Sequence, residues 1–346
     1  MLPVDPTPIF ELFRGSYGTE LLTAAVTHFQ LFDRLADGPR SFADLRSQLG
    51  LAERPAHVLV TALRAMGLLA ANSRGELELT PLAQHYLVGS AEFAVTGYIG
   101  LAAQSPGVLE MVERLRTNRP AGAAEKDAGA AFIFRDGIES AMEQETSARH
   151  FTLALAGRAK IVAPVLAERV SLAGASRLLD VGGGTGIYSY AFLQCHPRLR
   201  AVIVDRPEVL KVAAEMATRA SVADRVELVP GDMFRDPLPT DCDVALLSNI
   251  LHDWDVPQSR ELIARCAAVL PSDGRLLIHD VFLHDTLDGP LAIALYSAAL
   301  FCFTEGRAYS AAEYRDWLHA AGFKANEIVS TLIHCGALVA TRAGQS

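Results

Sequence analysis

The sequence has no apolar run long enough to cross a lipid bilayer. Its longest apolar stretch, LAIALYSAALFCF at 291–303, falls short of the roughly 20 residues that a membrane-spanning helix needs and has the length of a buried helix. The N-terminus, MLPVDPTPIFELF, lacks the basic segment that opens a signal peptide. We therefore expect a soluble, cytoplasmic protein.

Cysteine and basic charge are also scarce. The five cysteines are dispersed and form no CxxC pair, which indicates reduced thiols rather than a disulfide framework or a zinc site. The formal net charge of −9 argues against a broad nucleic-acid-binding surface, because such a surface needs clustered lysine and arginine. A small molecule is therefore the expected ligand, with no membrane or nucleic-acid partner.

The first part of the chain, residues 9–115, has helical periodicity with one break at 72–80. The break, NSRGELELT, predicts a short β-hairpin with Gly75 at its turn. Before it, SFADLRSQLGL and RPAHVLVTALRAMGLL predict two amphipathic helices, the first capped by Ser41. Helix, helix and hairpin in this order form the winged-helix pattern.

A winged helix can bind DNA or serve as a protein–protein scaffold. Residues 1–100 carry ten acidic and seven basic side chains, which disfavours binding to phosphates. Apolar residues cover much of the helical circumference of residues 9–35, more than one neighbouring domain can bury. We therefore expect residues 1–110 to be the helical dimerisation domain of an obligate homodimer.

The second part alternates strand-like and helix-like segments. Five short, almost continuously apolar runs are typical of parallel strands buried on both faces, at 177–182, 200–205, 225–232, 243–250 and 275–283. The final runs, EIVSTLIH and GALVATR, predict an antiparallel hairpin at one edge. Residues 111–346 are therefore predicted to be an α/β domain whose ligands bind beyond the carboxyl ends of the strands.

The first of these strands leads into a glycine-rich turn, LLDVGGGTG, with Gly182, Gly183, Gly184 and Gly186. The GxGxxG pattern of dinucleotide enzymes fails, because Ile187 and Ser189 occupy the third glycine position in the two possible frames. Backbone N–H groups at such a turn instead suit a ligand with a small carboxylate end.

Acidic residues follow the next two strands. Asp205 ends the second strand, where an acid accepts hydrogen bonds from ribose hydroxyls. Gly231 and Asp232 begin the sequence GDMF after the third strand, and Met233 and Phe234 there are apolar walls suited to an adenine ring. Three successive strand ends of this kind predict a nucleoside site.

These motifs resemble the S-adenosylmethionine-dependent O-methyltransferases of the plant caffeate and animal acetylserotonin type, whose bacterial relatives modify secondary metabolites, including antibiotics. The resemblance rests on LLDVGGGTGIYSYAFLQCHPRLRAVIVDRPEVL, GDMFRDPLP and LHDWD, and it extends over nearly the whole chain. It implies a Rossmann-like methyltransferase domain, an N-terminal winged-helix-like dimerisation domain, and S-adenosylmethionine as cofactor.

The resemblance also assigns roles to residues. It implies that the four glycines hold the methionine end of the cofactor, Asp205 the ribose, and Gly231, Asp232 and Met233 the adenine. It implies that Ser248 and Asn249 lie beside the sulfonium, and that Met142 and Phe151 belong to a helix that closes over the substrate.

His252, in SNILHDWD, is the predicted general base. A phenol has a pKa of about 10, so a base must take its proton during attack on the methyl group, and a histidine with an ordinary pKa of about 6.5 suits this task. The resemblance supplies Asp280 as an acid that orients the histidine. The family's second acid falls on Ala308, which is a departure; Glu305 or Arg307 are the candidate replacements, and Arg307 would suit a carboxylate on the substrate.

Three functions follow. The leading one is methylation of a hydroxyl on a small, aromatic metabolite. The second is C-methylation of an α-keto acid, with a metal held by His252 and Asp253 and by Glu305 or His284 as third donor. The third, a DNA-binding regulator or a catalytically silent binding protein, is disfavoured by the acidic N-terminal region and the intact cofactor motifs.

Overall fold

The computed structural model describes residues 4–119 and 145–343. The described residues divide into two compact units. We call residues 8–119 and 283–308 the helical unit, and residues 4–7, 145–282 and 309–343 the sheet unit. The predicted domain boundary at residue 110 remains a prediction. That prediction assigned residues 283–308 to the second domain, whereas they group with the helical unit.

Short helices make up most of the helical unit. They are α1 (Thr7–Arg14), α2 (Gly18–Thr23), α3 (Leu31–Leu35), α4 (Phe42–Leu49), α5 (Glu53–Ala65), α6 (Pro81–Tyr86), α7 (Thr96–Ile99) and α8 (Pro106–Thr117), followed much later by α13 (Leu291–Phe303). The predicted cap is present, because the Ser41 hydroxyl accepts the Asp44 N–H at 3.1 Å. The predicted hairpin is also present, as antiparallel β1 (Leu69–Ala71) and β2 (Leu77–Leu79), with Gly75 at a φ of 77°.

Residues 283–308 join the helical unit for an identifiable reason. Helix α13 is apolar around its whole circumference and therefore has to be buried, and Leu295, Ala298 and Phe301 lie in the core of this unit. The buried Arg54 guanidinium donates to the carbonyls of Thr304, at 3.0 Å, and Gly306, at 3.2 Å. Within the described parts of the chain, no helix, α13 included, has both the length and the apolarity to cross a membrane.

The sheet unit contains a mainly parallel sheet with the strand order β5-β4-β3-β6-β7-β10-β9, and β8 pairs with β7. The strands are β3 (Arg177–Val181), β4 (Arg200–Asp205), β5 (Val226–Pro230), β6 (Val244–Ser248), β7 (Arg275–Leu283), β8 (Tyr309–Ser310), β9 (Phe323–Ser330) and β10 (Cys335–Arg342). The helices are α9 (Glu145–Arg169), α10 (Ile187–Cys195), α11 (Pro207–Arg219), α12 (Val256–Val269) and α14 (Ala311–Ala320).

The topology confirms the predicted α/β class. The five strands β3 to β7 pair in parallel with their neighbours in the sheet. Strand β10 pairs antiparallel with both β7 and β9, and β9 and β10 form the predicted hairpin at one edge. Apolar side chains from both faces form two cores, one around Phe192 and Leu246 and one around Leu247 and Tyr309. The chain runs outward in opposite directions from β3 and from β6, and a ligand site in such a sheet lies at the carboxyl ends of these two strands.

Candidate active site

The glycine turn between β3 and α10 leaves no room for side chains at three of its positions, Gly182, Gly183 and Gly186. Gly182 and Gly186 have φ values of 67° and 74°, in the left-handed region. A Cβ at Gly182 would lie 2.6 Å from Cδ1 of Ile250, and one at Gly186 would lie 2.2 Å from the hydroxyl oxygen of Tyr190. A Cβ at Gly184 would meet no atom of the described residues within 4 Å. Among these residues the backbone of the turn is thus packed on one side and open at Gly184.

Asp205 braces this turn from the carboxyl end of β4. Its carboxylate accepts the Gly184 N–H at 2.8 Å and the Arg206 N–H at 2.7 Å. Burial raises the pKa of Asp205, while these two backbone hydrogen bonds act in the opposite direction. The structure therefore brings the predicted ribose acid and the predicted methionine-binding turn into direct contact.

The predicted adenine residues lie next to the same turn. The Gly231 N–H donates to the Asp205 carbonyl at 3.0 Å, which joins the ends of β4 and β5. The Asp232 carboxylate accepts the Phe234 N–H at 2.8 Å. The Met233 sulfur lies 3.7 Å from the position that a Cβ on Gly182 would take.

Ser248 and Asn249 are fixed at the end of β6 by a residue that sequence reasoning did not single out. His279, on β7, accepts the Asn249 N–H at its carbonyl, at 2.8 Å, and its Nδ1 contacts the Ser248 hydroxyl at 2.9 Å. Asn249 has a φ of 57°, in the left-handed region, so the backbone leaves the strand conformation at this residue. The contact of Ser248 and Asn249 with His279 follows from the pairing of β6 with β7, which places Ser248 opposite His279.

His252 and Asp280 form a buried pair. His252 lies in the 3₁₀ turn Leu251–Asp253 after β6, and its Nδ1 is 2.5 Å from Oδ1 of Asp280 on β7. Both side chains are at most 5% exposed. The same Oδ1 accepts the Val281 N–H at 2.7 Å. The two residues that the sequence assigned as base and orienting acid are therefore in contact.

A second group holds Asp280. The hydroxyl of Tyr314, on α14, donates to its Oδ2 at 3.2 Å, and Tyr314 is completely buried. Burial, together with the negative charge of Asp280, raises the pKa of Tyr314 well above its ordinary value, so the tyrosine remains a donor. Nothing in the sequence indicates this contact, since Tyr314 lies 34 residues beyond Asp280 and outside the cofactor motifs.

The electrostatics of the pair favour a proton on the imidazole. Burial alone lowers the pKa of His252, but the carboxylates of Asp280 and Asp253 outweigh it, so the net pKa is raised. Burial raises the pKa of Asp253 to about 6, against the effect of His252. The Nε2 of His252 is 3.6 Å from Oδ1 of Asp253, which is too long for a hydrogen bond.

Residues 4–119 and 145–343 contain no group of three or more His, Cys, Asp or Glu side chains arranged to hold a metal ion. The proposed third donor His284 contacts Asp288, with 3.0 Å between Nδ1 and Oδ1.

The departure at Ala308 is a well-packed position in the helical unit. Ala308 is fully buried, and its N–H donates to the Ser297 hydroxyl at 3.0 Å. The guanidinium of Arg307 is buried and donates to the Ala308 carbonyl at 3.0 Å. Of the other two predicted substrate residues, Met142 lies outside the described residues, and Phe151 lies in α9 with its side chain outside them.

Comparison with known proteins identifies the family. A family model described as an O-methyltransferase domain matches residues 115–324. A 3-hydroxy-5-methyl-1-naphthoate 3-O-methyltransferase of Streptomyces sahachiroi is 36% identical over 319 residues, which is 92% of this chain and 89% of that protein.

Solved structures agree. An O-methyltransferase family 2 protein from Planctomyces limnophilus, in complex with apigenin, has a TM-score of 0.88 and 47% identity, with 99% of this chain and 98% of that chain covered. Human N-acetylserotonin methyltransferase, in complex with S-adenosylmethionine, has a TM-score of 0.58 at 21% identity, with 99% and 100% covered, and shows the fold alone. These comparisons support methylation of a hydroxyl and not the C-methylation alternative. The chain belongs to the family of S-adenosylmethionine-dependent O-methyltransferases.

Proposed function

We propose that this enzyme methylates a hydroxyl group on an aromatic ring of a small metabolite, with His252 as general base. The observation that carries the proposal is the 2.5 Å contact between Nδ1 of His252 and Asp280. If the Nδ1–H group of neutral His252 donates this hydrogen bond to the carboxylate, the lone pair of the imidazole is on Nε2. Nε2 is then the nitrogen that takes a proton from the acceptor hydroxyl.

The glycine turn and the strand ends beside it fit S-adenosylmethionine. A ligand with a carboxylate and a ribose can approach this backbone closely. Among the described residues the turn is open at Gly184, its other glycines leave no room for Cβ atoms, and the acid Asp205 lies beside it. Gly182, Gly183, Gly184 and Gly186 would hold its methionine end, Asp205 its ribose, Gly231, Asp232 and Met233 its adenine, and Ser248 and Asn249 the region of its sulfonium. When bound, the cofactor supplies an electrophilic methyl carbon.

The protein residues then manage one proton. The acceptor hydroxyl would give its proton to Nε2 of His252 as its oxygen takes the methyl group, and the cofactor, whose sulfur keeps the electron pair of the broken sulfur–methyl bond, would leave as neutral S-adenosylhomocysteine. The carboxylate of Asp280 stabilises the imidazolium, and Tyr314 keeps that carboxylate in place through its second oxygen. Base catalysis of this kind contributes roughly 10²–10⁴-fold to the rate.

Two relatives support an aromatic acceptor. The S. sahachiroi enzyme is named for a hydroxynaphthoate, and the P. limnophilus protein was crystallised with apigenin, which is also a ring hydroxyl compound. A role in secondary metabolism, with cytoplasmic location, belongs to the same proposal.

The function is tested by supplying S-adenosylmethionine with a ¹³C-labelled methyl group, together with 3-hydroxy-1-naphthoate, apigenin or an α-keto acid. The proposal predicts a labelled carbon with the NMR shift of an O-methyl group on the aromatic compounds, and unchanged activity after treatment with a chelator. A labelled C-methyl group on the keto acid, lost on chelation, would establish the metal-dependent alternative instead.

We also propose that the chain is a homodimer through residues 1–110. Large apolar side chains are exposed in the helical unit, with Leu12 at 83%, Tyr98 at 80% and Leu101 at 81%. Such exposure is uncommon in a monomer and typical of a surface that meets a partner. Analytical ultracentrifugation should give twice the mass of 37.2 kDa, and a double substitution of Leu12→Ser and Leu101→Ser should shift it toward the monomer. A wild-type monomer at micromolar concentration would contradict the proposal.

A further inference from the structure

Asn249, at the end of β6, has a side-chain amide whose orientation is fixed by its neighbours. The guanidinium of Arg158, on α9, donates to the side-chain oxygen of Asn249. A guanidinium has only donors, so the oxygen of the amide and not its NH₂ group has to face it. The NH₂ group then donates to the Ser248 hydroxyl oxygen at 3.1 Å and to the Tyr188 hydroxyl oxygen at 3.3 Å. One lone pair of the Ser248 oxygen is therefore occupied by an N–H donor.

His279 is the next group in this chain of hydrogen bonds. It lies on β7 opposite Ser248, and its side chain is fully buried. Its Nδ1 contacts the Ser248 hydroxyl at 2.9 Å, and its Nε2 contacts the Thr331 hydroxyl at 3.2 Å. Burial, assisted by the positive charge of Arg158, lowers the pKa of His279 to about 3. The imidazole is therefore neutral, with one nitrogen as donor and the other as acceptor.

Two arrangements of protons satisfy the contact between Ser248 and His279. If Nδ1 is the acceptor, the Ser248 O–H bond points to the imidazole, and the remaining lone pair of the oxygen is left for a ligand. If Nδ1 carries the proton, it donates to that lone pair, and the Ser248 O–H bond is left for a ligand instead. The Thr331 hydroxyl can accept from Nε2 or donate to it, so it suits both arrangements. The tautomer of His279 thus decides which end of the hydroxyl dipole Ser248 offers.

We propose that His279 is a positioning residue that, as the Nε2–H tautomer, makes Ser248 present an oxygen lone pair to the sulfonium of the cofactor. The inference rests on the proposed function, which assigns Ser248 and Asn249 to the region of the sulfonium. The sulfonium is positively charged, so the free energy of binding is more favourable with the lone pair facing it than with the hydroxyl proton facing it.

The same contact distinguishes the cofactor from its product. S-adenosylhomocysteine has a neutral sulfur and no transferable methyl group, so it gains much less from a lone pair at this place. Ser248, held by His279, therefore favours the binding of the reactive cofactor over that of the product. The property to measure is the ratio of the dissociation constant of S-adenosylhomocysteine to that of S-adenosylmethionine.

The test is calorimetric binding of the two ligands, each without an acceptor, to the full-length enzyme and its variants. Ser248→Ala should lower the ratio about 3- to 10-fold, a range that extends from a weak C–H···O contact to the gain of a charge-assisted hydrogen bond over a neutral one. His279→Phe should lower the ratio in the same direction, because the Ser248 proton loses its acceptor. His279→Asn should keep the ratio within about twofold of wild type, because its carbonyl oxygen can replace Nδ1 as the acceptor.

His319→Phe is the matched control for the histidine variants. His319 is exposed at the end of α14, so its loss should leave both dissociation constants unchanged. A ¹⁵N NMR spectrum of histidine-labelled wild-type enzyme gives a readout that depends on no loss of binding. With S-adenosylmethionine bound, Nε2 of His279 should be the protonated nitrogen, and the absence of its signal in His279→Asn provides the assignment.

The outcomes separate the inference from the proposed function. An equal weakening of both ligands in Ser248→Ala would give Ser248 a structural role only and overturn the inference. A proton on Nδ1 of His279 in the complex with S-adenosylmethionine would overturn it as well. Both results leave the proposed function intact, whereas a wild-type enzyme that binds neither ligand overturns the proposed function together with the inference.

Discussion

Replacing Asp280 by asparagine should shift the pH dependence of catalysis while keeping the geometry of the base. Oδ1 of Asp280 accepts two N–H groups, from His252 at 2.5 Å and from Val281 at 2.7 Å, and Oδ2 accepts the Tyr314 hydroxyl at 3.2 Å. An asparagine can keep its carbonyl oxygen at the first position and its NH₂ at the second, because a hydroxyl can rotate to accept. The tautomer of the histidine is then preserved and only the negative charge is lost.

The sign and size of the shift follow from this arrangement. The Asp280 carboxylate raises the pKa of His252, so its loss lowers that pKa. A hydrogen bond to a charged group exceeds a neutral one by about 1–1.5 kcal/mol, which corresponds to about one pKa unit. The acidic limb of kcat/KM against pH should therefore move down by about one pH unit, with a lower plateau because the base is weaker.

The control for this experiment is Asp288→Asn, which removes the acid beside a histidine at the surface. His284 and Asp288 are 3.0 Å apart and substantially exposed, so their substitution should leave the limb in place. An acidic limb that stays where it is in Asp280→Asn, or moves up, would show that His252 is not the titrating base.

Three further changes test the same structure. Tyr314→Phe removes a donor to Asp280 and concentrates charge on that carboxylate, so the acidic limb should move up and the unfolding temperature should fall, since a buried carboxylate oxygen loses its partner; an unmoved limb would give the tyrosine a structural role only. Asp180 is completely buried, and burial raises its pKa to about 7. Its protonation therefore stabilises the fold fully below about pH 4, and this contribution to the free energy of unfolding is lost as the pH rises through about 7. Asp180→Asn should flatten the fall in melting temperature between these pH values, and an unchanged slope would contradict the raised pKa. Gly186→Ala should abolish S-adenosylhomocysteine binding in a calorimeter, because φ is 74° and the new Cβ would meet the Tyr190 hydroxyl; retained affinity would contradict the packed turn.

The sheet was predictable from sequence because its strands are buried on both faces. Each of the five parallel strands lies within its predicted run, and its ends differ from the ends of that run by at most two residues, as with β3 (Arg177–Val181) against 177–182. A continuous apolar run bounded by turn residues has few alternatives. The motifs at strand ends followed directly, because the carboxyl ends of parallel strands meet at one edge.

The association of residues 283–308 with the helical unit was not predictable in the same way. Helix α13 is apolar on all sides, so its pattern indicates burial and gives no direction. The hydrogen bonds that Arg54 donates to this segment go to backbone carbonyls, and backbone groups leave no trace in a sequence.

In the candidate site, sequence reasoning identified His252, Asp280, Ser248 and Asn249 and missed the residues that hold them. Tyr314, which donates to Asp280, and His279, which contacts Ser248, come from elements remote in the chain from these partners or from their motifs, and a single buried polar residue has no periodic signature. The absent acid at Ala308 was visible as a departure from the family pattern, but nothing in the sequence indicated that a tyrosine holds the other oxygen of Asp280.

The most direct test of the account is the dependence of His252→Ala on the acidity of the acceptor. In single turnover with saturating S-adenosylmethionine, the variant should transfer methyl to a phenol of ordinary pKa roughly 10²–10⁴-fold more slowly than wild type, with S-adenosylhomocysteine affinity unchanged. For ring-substituted phenols that are already ionised at the assay pH, the rate of the variant should approach the wild-type rate, because these acceptors need no base. A deficit below about tenfold, or one that is the same for acidic and ordinary phenols, would contradict the assignment of His252 as the base.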